Sequence, residues 1–315
     1  MEYLLFLQEL RGGAGAGINE LLYYLSEIMG GAIAMMIPLL IYWCLDKKAG
    51  LYMTMSFTTA YLLNQTIKNT CCVYRPAVRD ARIQPVEKAL KGATGYSFPS
   101  GHTVNAGSIY GGLAVWQKKR KWVTVLCTAL MGLTGFSRNW LGVHTLWDVL
   151  AAIGLSLAVL CGCRFLFEWI EKKPDRDWKV WLTASAATVL LLIYTACKQY
   201  PMDYAADGRL LVDPFAMQTD CFRSAGMALG FWMGWLVERR WIRFQTEVSF
   251  GRRCLRFVIG ALLTLALYAG VFPLILAPLG EHWGKFLKYF GTFVFAVAGY
   301  PALFQLAGRR TGQKK

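Results

Sequence analysis

Three short segments of the sequence hold most of the side chains that are suited to chemistry. They combine basic groups with imidazoles, hydroxyls and a carboxylate, and they read Lys68-Asn-Thr-Cys-Cys-Val-Tyr-Arg75-Pro76, Pro99-Ser100-Gly101-His102, and Ser137-Arg138 followed by His144 and Asp148. Basic side chains that converge on one site repel one another unless they share an anion, and phosphate fits arginine especially well. The segments therefore predict a phosphate-binding site.

The basic residues have distinct parts in this prediction. Arg75 and Arg138 can each hold two phosphate oxygens through the planar guanidinium, whereas Lys68 supplies a point charge. Because Pro76 disfavours a helical conformation at Arg75, the helix that contains Lys68 is predicted to end near Tyr74 and to turn the arginine into the site.

The second segment is typical of the first turn of a helix. Backbone N–H groups at a helix start lack partners within the helix and, together with the helix dipole, favour a bound anion. Gly101 lets the backbone approach that anion closely, and Ser100 adds a hydroxyl donor. The alternative interpretation is an ordinary proline–serine helix start without a ligand.

Two of the three histidines in the chain belong to these segments. His144 and Asp148 are four residues apart, and we expect them on one face of a helix start. A carboxylate bonded to one imidazole nitrogen fixes the tautomer and leaves the other nitrogen free to attack, so His102 is left for proton transfer. The alternative is a capping histidine beside a helix-start acid. The third histidine, His282, is predicted to be interfacial.

Membrane-spanning helices are the elements predicted to position these segments. The chain has 315 residues, 56% of them hydrophobic, and a mean hydropathy of +0.36, which is typical of a protein in a bilayer. A helix needs roughly 20 mainly apolar residues to cross. Such runs lie at about 20–45, 50–67, 102–117, 122–137, 146–170, 179–197, 222–238 and 257–279, with a ninth at about 285–307. Residues 1–19 are predicted to form an interfacial segment rather than a removable signal peptide.

The basic residues are distributed unequally over the connections between these runs. Most of the 34 lysines and arginines fall on one side, which the positive-inside rule assigns to the cytoplasm. The three motifs fall at helix ends on the other side, so the site is predicted on the extracytoplasmic face of the cell membrane. Because this topology explains most of the net charge of +15, we expect no nucleic-acid partner.

The small residues of the chain indicate packing rather than chemistry. The nine cysteines lack the paired spacing of a zinc or redox site and are predicted to be mainly buried. A bridge between Cys197 and Cys221 is left open. Gly226, Gly230 and Gly234 lie on one face of the predicted seventh helix, where they would let another helix approach closely.

Taken together, the three segments resemble the signature of the type 2 phosphatidic acid phosphatase (PAP2) superfamily. Its pattern is Lys-x6-Arg-Pro, then Pro-Ser-Gly-His, then Ser-Arg-x5-His-x3-Asp, and this sequence matches it at every position from Lys68 to Asp148. The resemblance implies an all-α, polytopic transmembrane bundle whose five-helix catalytic core covers residues 20–171. It does not reach residues 172–315, which are predicted to add three or four helices of unknown role.

The resemblance also implies a mechanism that needs no cofactor and no metal ion. His144 attacks phosphorus to give a phosphohistidine, Asp148 orients His144, and His102 protonates the leaving group and then activates water. Positive charge around the phosphate takes the part of a divalent ion. The phosphate-binding residues that the resemblance implies are Lys68, Arg75, Ser100, Gly101 and Arg138.

The expected substrate is a lipid phosphate, because a site at the membrane face suits an amphiphile whose tail stays in the lipid. Phosphatidic acid, phosphatidylglycerol phosphate, a sphingoid phosphate and an isoprenyl diphosphate all fit this description. One alternative is a lipid phosphotransferase that passes the phosphoryl group to an acceptor alcohol. Another is a transporter or scaffold that retains the motif without catalysis. Glu27 is an acid within the first span that would suit a relay, but its place near the outer end favours an anchoring part.

Overall fold

A computed structural model of the chain describes residues 1–304, apart from the side chains of Ala32 and Pro174. These residues are mainly helical, with an isolated antiparallel bridge between Tyr204 and Leu210 and no β-sheet, which confirms the all-α prediction. The α-helices are α1 (Glu2–Gly13), α2 (Ala16–Gly30), α3 (Met36–Leu40), α4 (Lys47–Cys71), α5 (Pro76–Arg79), α6 (Glu87–Leu90), α7 (Gly101–Trp116), α8 (Lys121–Trp140), α9 (Leu146–Glu171), α10 (Asp177–Cys197), α11 (Pro214–Val237), α12 (Phe250–Ala266), α13 (Phe272–Leu276) and α14 (Gly280–Val294).

Each of the first eight predicted apolar runs overlaps one or more of these helices. Within residues 1–304, four segments are both long and apolar enough to cross a membrane, namely Ala16–Leu45, Leu146–Glu171, Asp177–Cys197 and Phe250–Phe304. The helix α4 is long enough but less apolar, since it carries polar side chains that the fold buries, such as Thr58 and Asn64. The total of eight or nine spans stays a prediction. The end of the ninth run and the basic residues Arg309, Arg310, Lys314 and Lys315 lie outside the described residues.

The chain forms two compact units that alternate along the sequence. The first consists of Met1–Met35, Thr59–Gly162 and Thr195–Gln218, and the second of Met36–Thr58, Cys163–Tyr194 and the described residues from Thr219 onward. Every predicted catalytic and phosphate-binding residue belongs to the first unit. The predicted division of the chain after residue 171 into a catalytic core and additional helices stays a prediction.

Close helix packing in the first unit brings the helix ends together. A Cβ atom added to Gly30 on α2 would lie 2.6 Å from the carbonyl oxygen of His102 on α7. A Cβ added to Gly135 on α8 would lie 2.6 Å from Cγ1 of Val149 on α9. Since such distances are shorter than any ordinary contact, glycine is what allows these helix pairs to approach.

The N-terminal helix α1 fixes one wall of the first unit. Leu4 and Leu7 are buried in one cluster with Ile83 and Trp140. Arg11 donates a hydrogen bond from Nη1 to the backbone carbonyl of Trp140 at 2.8 Å. The predicted N-terminal helix is therefore present and holds the segment between α5 and α7 against the end of α8; its interfacial location stays a prediction.

The second unit contains the predicted glycine face. A Cβ atom on Gly226 would collide with the backbone carbonyl of Phe286, and one on Gly230 with that of Phe290. A Cβ atom on Gly234 would lie 3.0 Å from the Cβ of Val297, in the helical segment Phe295–Gly299 that continues α14. The predicted packing role of these glycines is confirmed, and the partner is α14.

The cysteines differ from the prediction in two respects. All nine are free, so Cys197 and Cys221 do not form the bridge that the sequence left open. Cys71, Cys161, Cys197 and Cys254 are exposed rather than buried. Cys71 and Cys197 are the last residues of α4 and α10, and Cys254 lies near the start of α12, so three of these four exposed positions are at helix ends.

Candidate active site

The first motif begins in the last turn of the helix α4 and continues into the connection to α5. α4 ends at Cys71, somewhat before the predicted end at Tyr74, and Cys72 takes a left-handed backbone conformation with φ of 48°. Arg75 is extended, with φ of −61° and ψ of 154°, and directly precedes Pro76, the first residue of α5. The effect of the proline on the residue before it is therefore confirmed, and Arg75 is free of any helix.

Lys68, in the last turn of α4, anchors the chain that leads into the second motif. Its Nζ donates hydrogen bonds to the carbonyl oxygens of Tyr96 at 2.8 Å and Pro99 at 3.0 Å, and the side chain is only 7% exposed. The side chain of Asn64, one turn earlier, donates to the carbonyl of Pro99 at 3.3 Å. Lys68 thus supplies positive charge and also fixes the loop that delivers Ser100.

Arg75 links three parts of the first unit. Its Nε donates to the carbonyl of Gly95 at 2.9 Å, and its Nη1 donates to the carbonyl of Val143 at 3.0 Å. The same Nη1 lies 2.9 Å from Nε2 of His144. Since a guanidinium has no acceptor, Nε2 must accept this bond, and the proton of the neutral imidazole is on Nδ1.

The second motif begins the helix α7 as predicted, with Ser100 as its N-cap and Gly101 as its first residue. The Ser100 N–H donates to the backbone carbonyl of Asp148 at 3.1 Å, which joins the start of α7 to the start of α9. The Ser100 hydroxyl accepts a bond from Thr103 at 2.9 Å, so its own proton remains for another acceptor. A Cβ on Gly101 would meet only Oδ1 of Asn64, at 3.9 Å. The protein itself does not require glycine there, which is consistent with room kept for a ligand.

His102 contacts Glu27, to which the sequence analysis gave no place among the site residues. Its Nε2 lies 2.9 Å from Oε1 of Glu27 on α2, and that oxygen also lies 3.6 Å from Nη1 of Arg138. Arg138 is 1% exposed and donates to the Ser26 hydroxyl at 3.1 Å, while its Nε has no hydrogen-bond partner among the described residues. Glu27 therefore lies beside two of the predicted site residues, and its role, relay or anchor, stays a prediction.

His144 lies before the helix α9, not within it. The helix begins at Leu146, and Thr145 and Asp148 form a capping box, in which the Thr145 N–H donates to Oδ2 of Asp148 at 2.6 Å and the Asp148 N–H to the Thr145 hydroxyl at 3.3 Å. The expectation that His144 and Asp148 share a helix face is corrected accordingly. Nδ1 of His144 is still 3.5 Å from Oδ2 of Asp148.

The connection from α8 to α9 holds His144 in place. Gly142 takes a left-handed conformation with φ of 75° in this turn, and the side chain of Asn139 donates to the backbone carbonyl of His144 at 2.9 Å. Both His144 and Asp148 are almost fully buried, with 2% and 1% of their surface exposed. The imidazole is consequently fixed by the backbone around it as well as by its ring contacts.

The charges of the site act on one another. Burial and, after it, the nearby charge of Arg138 lower the pKa of Arg75 to about 10, against the opposing effect of Asp148. Burial, followed by the positive charge of Arg75, lowers the pKa of His144 well below its usual range. Arg75 thus remains charged at neutral pH, and His144 is neutral, as a nucleophile must be.

The structure brings all eight predicted site residues into one region of the first unit, and their individual roles stay predictions. His282 belongs to the second unit, where its Nδ1 lies 2.7 Å from the Thr219 hydroxyl and its ring stacks on Phe222 with a centroid distance of 4.9 Å. Sequence reasoning missed Ser97, which is fully buried and contacts both His144 and Asp148.

Replacing Gly101 with alanine is expected to weaken substrate binding without loss of stability. The added methyl group meets only one protein atom at ordinary distance, yet it projects at a helix start where a phosphate would approach the backbone. We expect KM for the substrate to rise by about tenfold with an unchanged melting temperature. Gly30→Ala is the control, since its methyl group would collide with the His102 carbonyl and should lower the melting temperature. Unchanged KM in Gly101→Ala would contradict the prediction.

Two family models match this chain, one over the segment with the three motifs and one over the later helices. A family model described as the PAP2 superfamily matches residues 49–172, which include all three motifs, and one described as the PAP2 superfamily phosphatase, transmembrane extension, matches residues 222–311. The chain is 31% identical over 135 residues to phosphatidylglycerophosphatase B of Bacillus subtilis (strain 168), which covers 40% of this chain and 60% of that protein. The match thus spans less than two thirds of the relative's length. No solved structure matches.

Proposed function

Because this chain belongs to the PAP2 superfamily, we propose that it is an integral membrane phosphatase that hydrolyses a lipid phosphate through a phosphohistidine intermediate. The relative from Bacillus subtilis is named as a phosphatidylglycerophosphatase, which supports a lipid phosphomonoester as substrate. Phosphatidylglycerol phosphate is accordingly the first candidate, ahead of phosphatidic acid, sphingoid phosphates and isoprenyl diphosphates.

One observation carries the proposal: a neutral buried imidazole lies against one guanidinium, and a second buried guanidinium has an unused donor. His144 is bonded to Arg75, and Arg138 has no partner for its Nε among the described residues. A buried charged group with an unsatisfied donor is costly unless an anion binds to it. A phosphate between the two arginines would satisfy both and would place phosphorus in reach of the imidazole.

In the first step, the lone pair on Nε2 of His144 attacks phosphorus. A phosphate oxygen takes over the hydrogen bond that Nη1 of Arg75 now donates to Nε2, which frees the lone pair. The P–N bond forms as the bond between phosphorus and the lipid oxygen breaks, and His102 gives its proton to that departing oxygen. The basic side chains offset the negative charge of the transition state, a contribution that dominates phosphoryl transfer.

In the second step, His102 accepts a proton from water, and the resulting hydroxide attacks phosphorus. The P–N bond breaks, its electron pair returns to Nε2, and inorganic phosphate leaves. Glu27, at 2.9 Å from Nε2 of His102, stabilises the protonated imidazole that each proton transfer produces or consumes. The two histidines thus form two histidine–carboxylate pairs, one for attack and one for proton transfer.

The test is phosphate release by the purified full chain in lipid nanodiscs with EDTA present. Candidate substrates are the four lipid phosphates and a sugar phosphate as the soluble comparison. We expect turnover of at least one lipid phosphate, insensitive to EDTA, with inorganic phosphate as product. Turnover of the sugar phosphate alone would overturn the lipid assignment, and transfer of the phosphoryl group to an added alcohol without release of phosphate would identify a phosphotransferase instead.

We also propose that the site lies on the extracytoplasmic face, because the basic residues outside the motifs concentrate at the opposite helix ends. Cys71 is exposed at the end of α4 beside the first motif, and Cys254 is exposed near the start of α12 beside Arg252 and Arg253. In single-cysteine variants in intact cells, a membrane-impermeant maleimide should label Cys71 and leave Cys254 unlabelled. Labelling of Cys254 alone would reverse the orientation.

A further inference from the structure

Asp148 and His144 are too far apart for a direct hydrogen bond of ordinary length. Oδ2 of Asp148 and Nδ1 of His144 are separated by 3.5 Å, whereas protein hydrogen bonds of this type fall near 2.7 to 3.2 Å. The same Oδ2 already accepts two short bonds, from the Thr145 N–H and from the Ser97 hydroxyl, both at 2.6 Å. The direct contact with the imidazole is therefore longer than either of these two bonds.

The Ser97 hydroxyl lies beside both groups and contacts each of them. Its Oγ is 2.6 Å from Oδ2 of Asp148 and 3.3 Å from Nδ1 of His144, and Ser97 is fully buried. The backbone holds it there from both sides: the Ser97 N–H donates to the carbonyl of Val73 at 2.7 Å, and its carbonyl accepts from Lys68 at 3.4 Å. No rearrangement of the chain is needed to bring the hydroxyl to this position.

The direction of each bond follows from the chemistry of the groups. An ionised carboxylate only accepts, so the single hydroxyl proton of Ser97 points to Asp148. Toward His144 the serine oxygen then has only lone pairs, and Nδ1 must carry the imidazole proton. Arg75 requires the same tautomer from the other side of the ring, because it donates to Nε2 at 2.9 Å. Two independent contacts thus select the tautomer with a free lone pair on Nε2.

We infer that Ser97 is a positioning residue for the proposed phosphatase reaction: its hydroxyl transmits the orienting effect of Asp148 to His144 and keeps the proton on Nδ1. This inference rests on the proposed function, because it assigns Ser97 a part in activating the same nucleophile. Ser97 lies outside the Pro-Ser-Gly-His motif, and its hydroxyl bonds to the carboxylate and the imidazole rather than to a phosphate-binding arginine.

The test compares Ser97→Ala with Ser108→Ala, which is equally buried but whose hydroxyl donates to the carbonyl of Val104 in its own helix. In Ser97→Ala we expect kcat to fall by about 10- to 100-fold with KM within about twofold, since binding groups are untouched. Ser108→Ala should keep the wild-type kcat. Ser97→Thr retains the hydroxyl and should recover most of the rate; wild-type kcat in Ser97→Ala overturns the inference.

A double-mutant cycle with Asp148→Asn separates this role from a merely structural one. If Ser97 acts only through Asp148, Ser97→Ala should cost less than about threefold in kcat in the Asp148→Asn background. Effects that multiply independently overturn the inference even if Ser97→Thr fails to fold. Failure of the proposed function itself has a different signature, namely unchanged turnover in His144→Ala, which none of the Ser97 results would produce.

Discussion

Replacing His144 with alanine is expected to abolish phosphate release, with a loss of about 10⁵-fold or more in kcat. The neutral imidazole presents an unprotonated nitrogen to Arg75, and alanine leaves no atom that can bond to phosphorus. The small cavity left behind lies in a loop fixed by Asn139 and Gly142. We therefore expect the variant to be produced and to remain folded in the membrane.

The measurement that accompanies this variant is a search for the covalent intermediate. Rapid quenching with a lipid labelled in its phosphate should trap a labelled chain in the wild-type protein, with the acid lability and alkali stability of a phosphohistidine. His144→Ala should show no label. The matched control is His282→Ala, because His282 stacks on Phe222 in the second unit and has no part in the proposed reaction. Equal turnover in His144→Ala and in the wild type would remove the nucleophile assignment.

Local rules account for the parts of the site that the sequence predicted. The extended backbone of Arg75 follows from Pro76. The helix α7 begins after Ser100 at the N-cap, a position that serine favours, although its hydroxyl bonds to Thr103 and not to a backbone N–H. These effects act within a few residues, so they are visible in the sequence. The motif spacing then identified which helix ends carry chemistry.

The start of α9 shows a local signal that was present but overlooked. Thr145 and Asp148 are three residues apart and form the capping box, which fixes Leu146 as the first helical residue and leaves His144 in the preceding turn. The i to i+4 spacing of His144 and Asp148 suggested a shared helix face instead. Proximity of the two residues was correct, but the geometry that produces it is a turn with Gly142 at a positive φ.

The two partners that sequence reasoning did not assign depend on tertiary packing. Glu27 is 75 positions from His102, and Ser97 is 51 positions from Asp148. Glu27 meets His102 because Gly30 lets α2 approach α7, and nothing in the spacing of either segment specifies that approach. A lone acid in an apolar helix was a usable signal for function. Ser97 offered no comparable signal, since a buried serine is most often bonded to nearby backbone.

Replacing Asp148 with asparagine is expected to lower kcat by about 100- to 1,000-fold while leaving the fold intact. The amide oxygen can take the place of Oδ2 and accept from both the Thr145 N–H and the Ser97 hydroxyl, so the capping box survives and the helix start is retained. The amide nitrogen then takes the place of the other carboxylate oxygen. The variant therefore keeps these hydrogen bonds and loses the negative charge beside His144.

The lost charge acts on the nucleophile. The imidazole becomes positively charged when Nε2 bonds to phosphorus, and without the carboxylate near Nδ1 that positive charge is no longer offset. Substrate binding should be affected far less than turnover, because Arg75, Arg138 and the start of α7 are unchanged. We expect KM within about threefold of wild type and a phosphoenzyme that forms at a rate lower by the same factor as kcat.

The control for the lost negative charge is Asp203→Asn. Asp203 belongs to the same unit and accepts a bond from Tyr74 at 2.6 Å, but it lies on an exposed loop away from the imidazole. This variant should keep a wild-type rate. If Asp148→Asn also kept it, the negative charge beside His144 would have no bearing on catalysis. A selective loss in Asp148→Asn ties the rate to one carboxylate beside one imidazole ring.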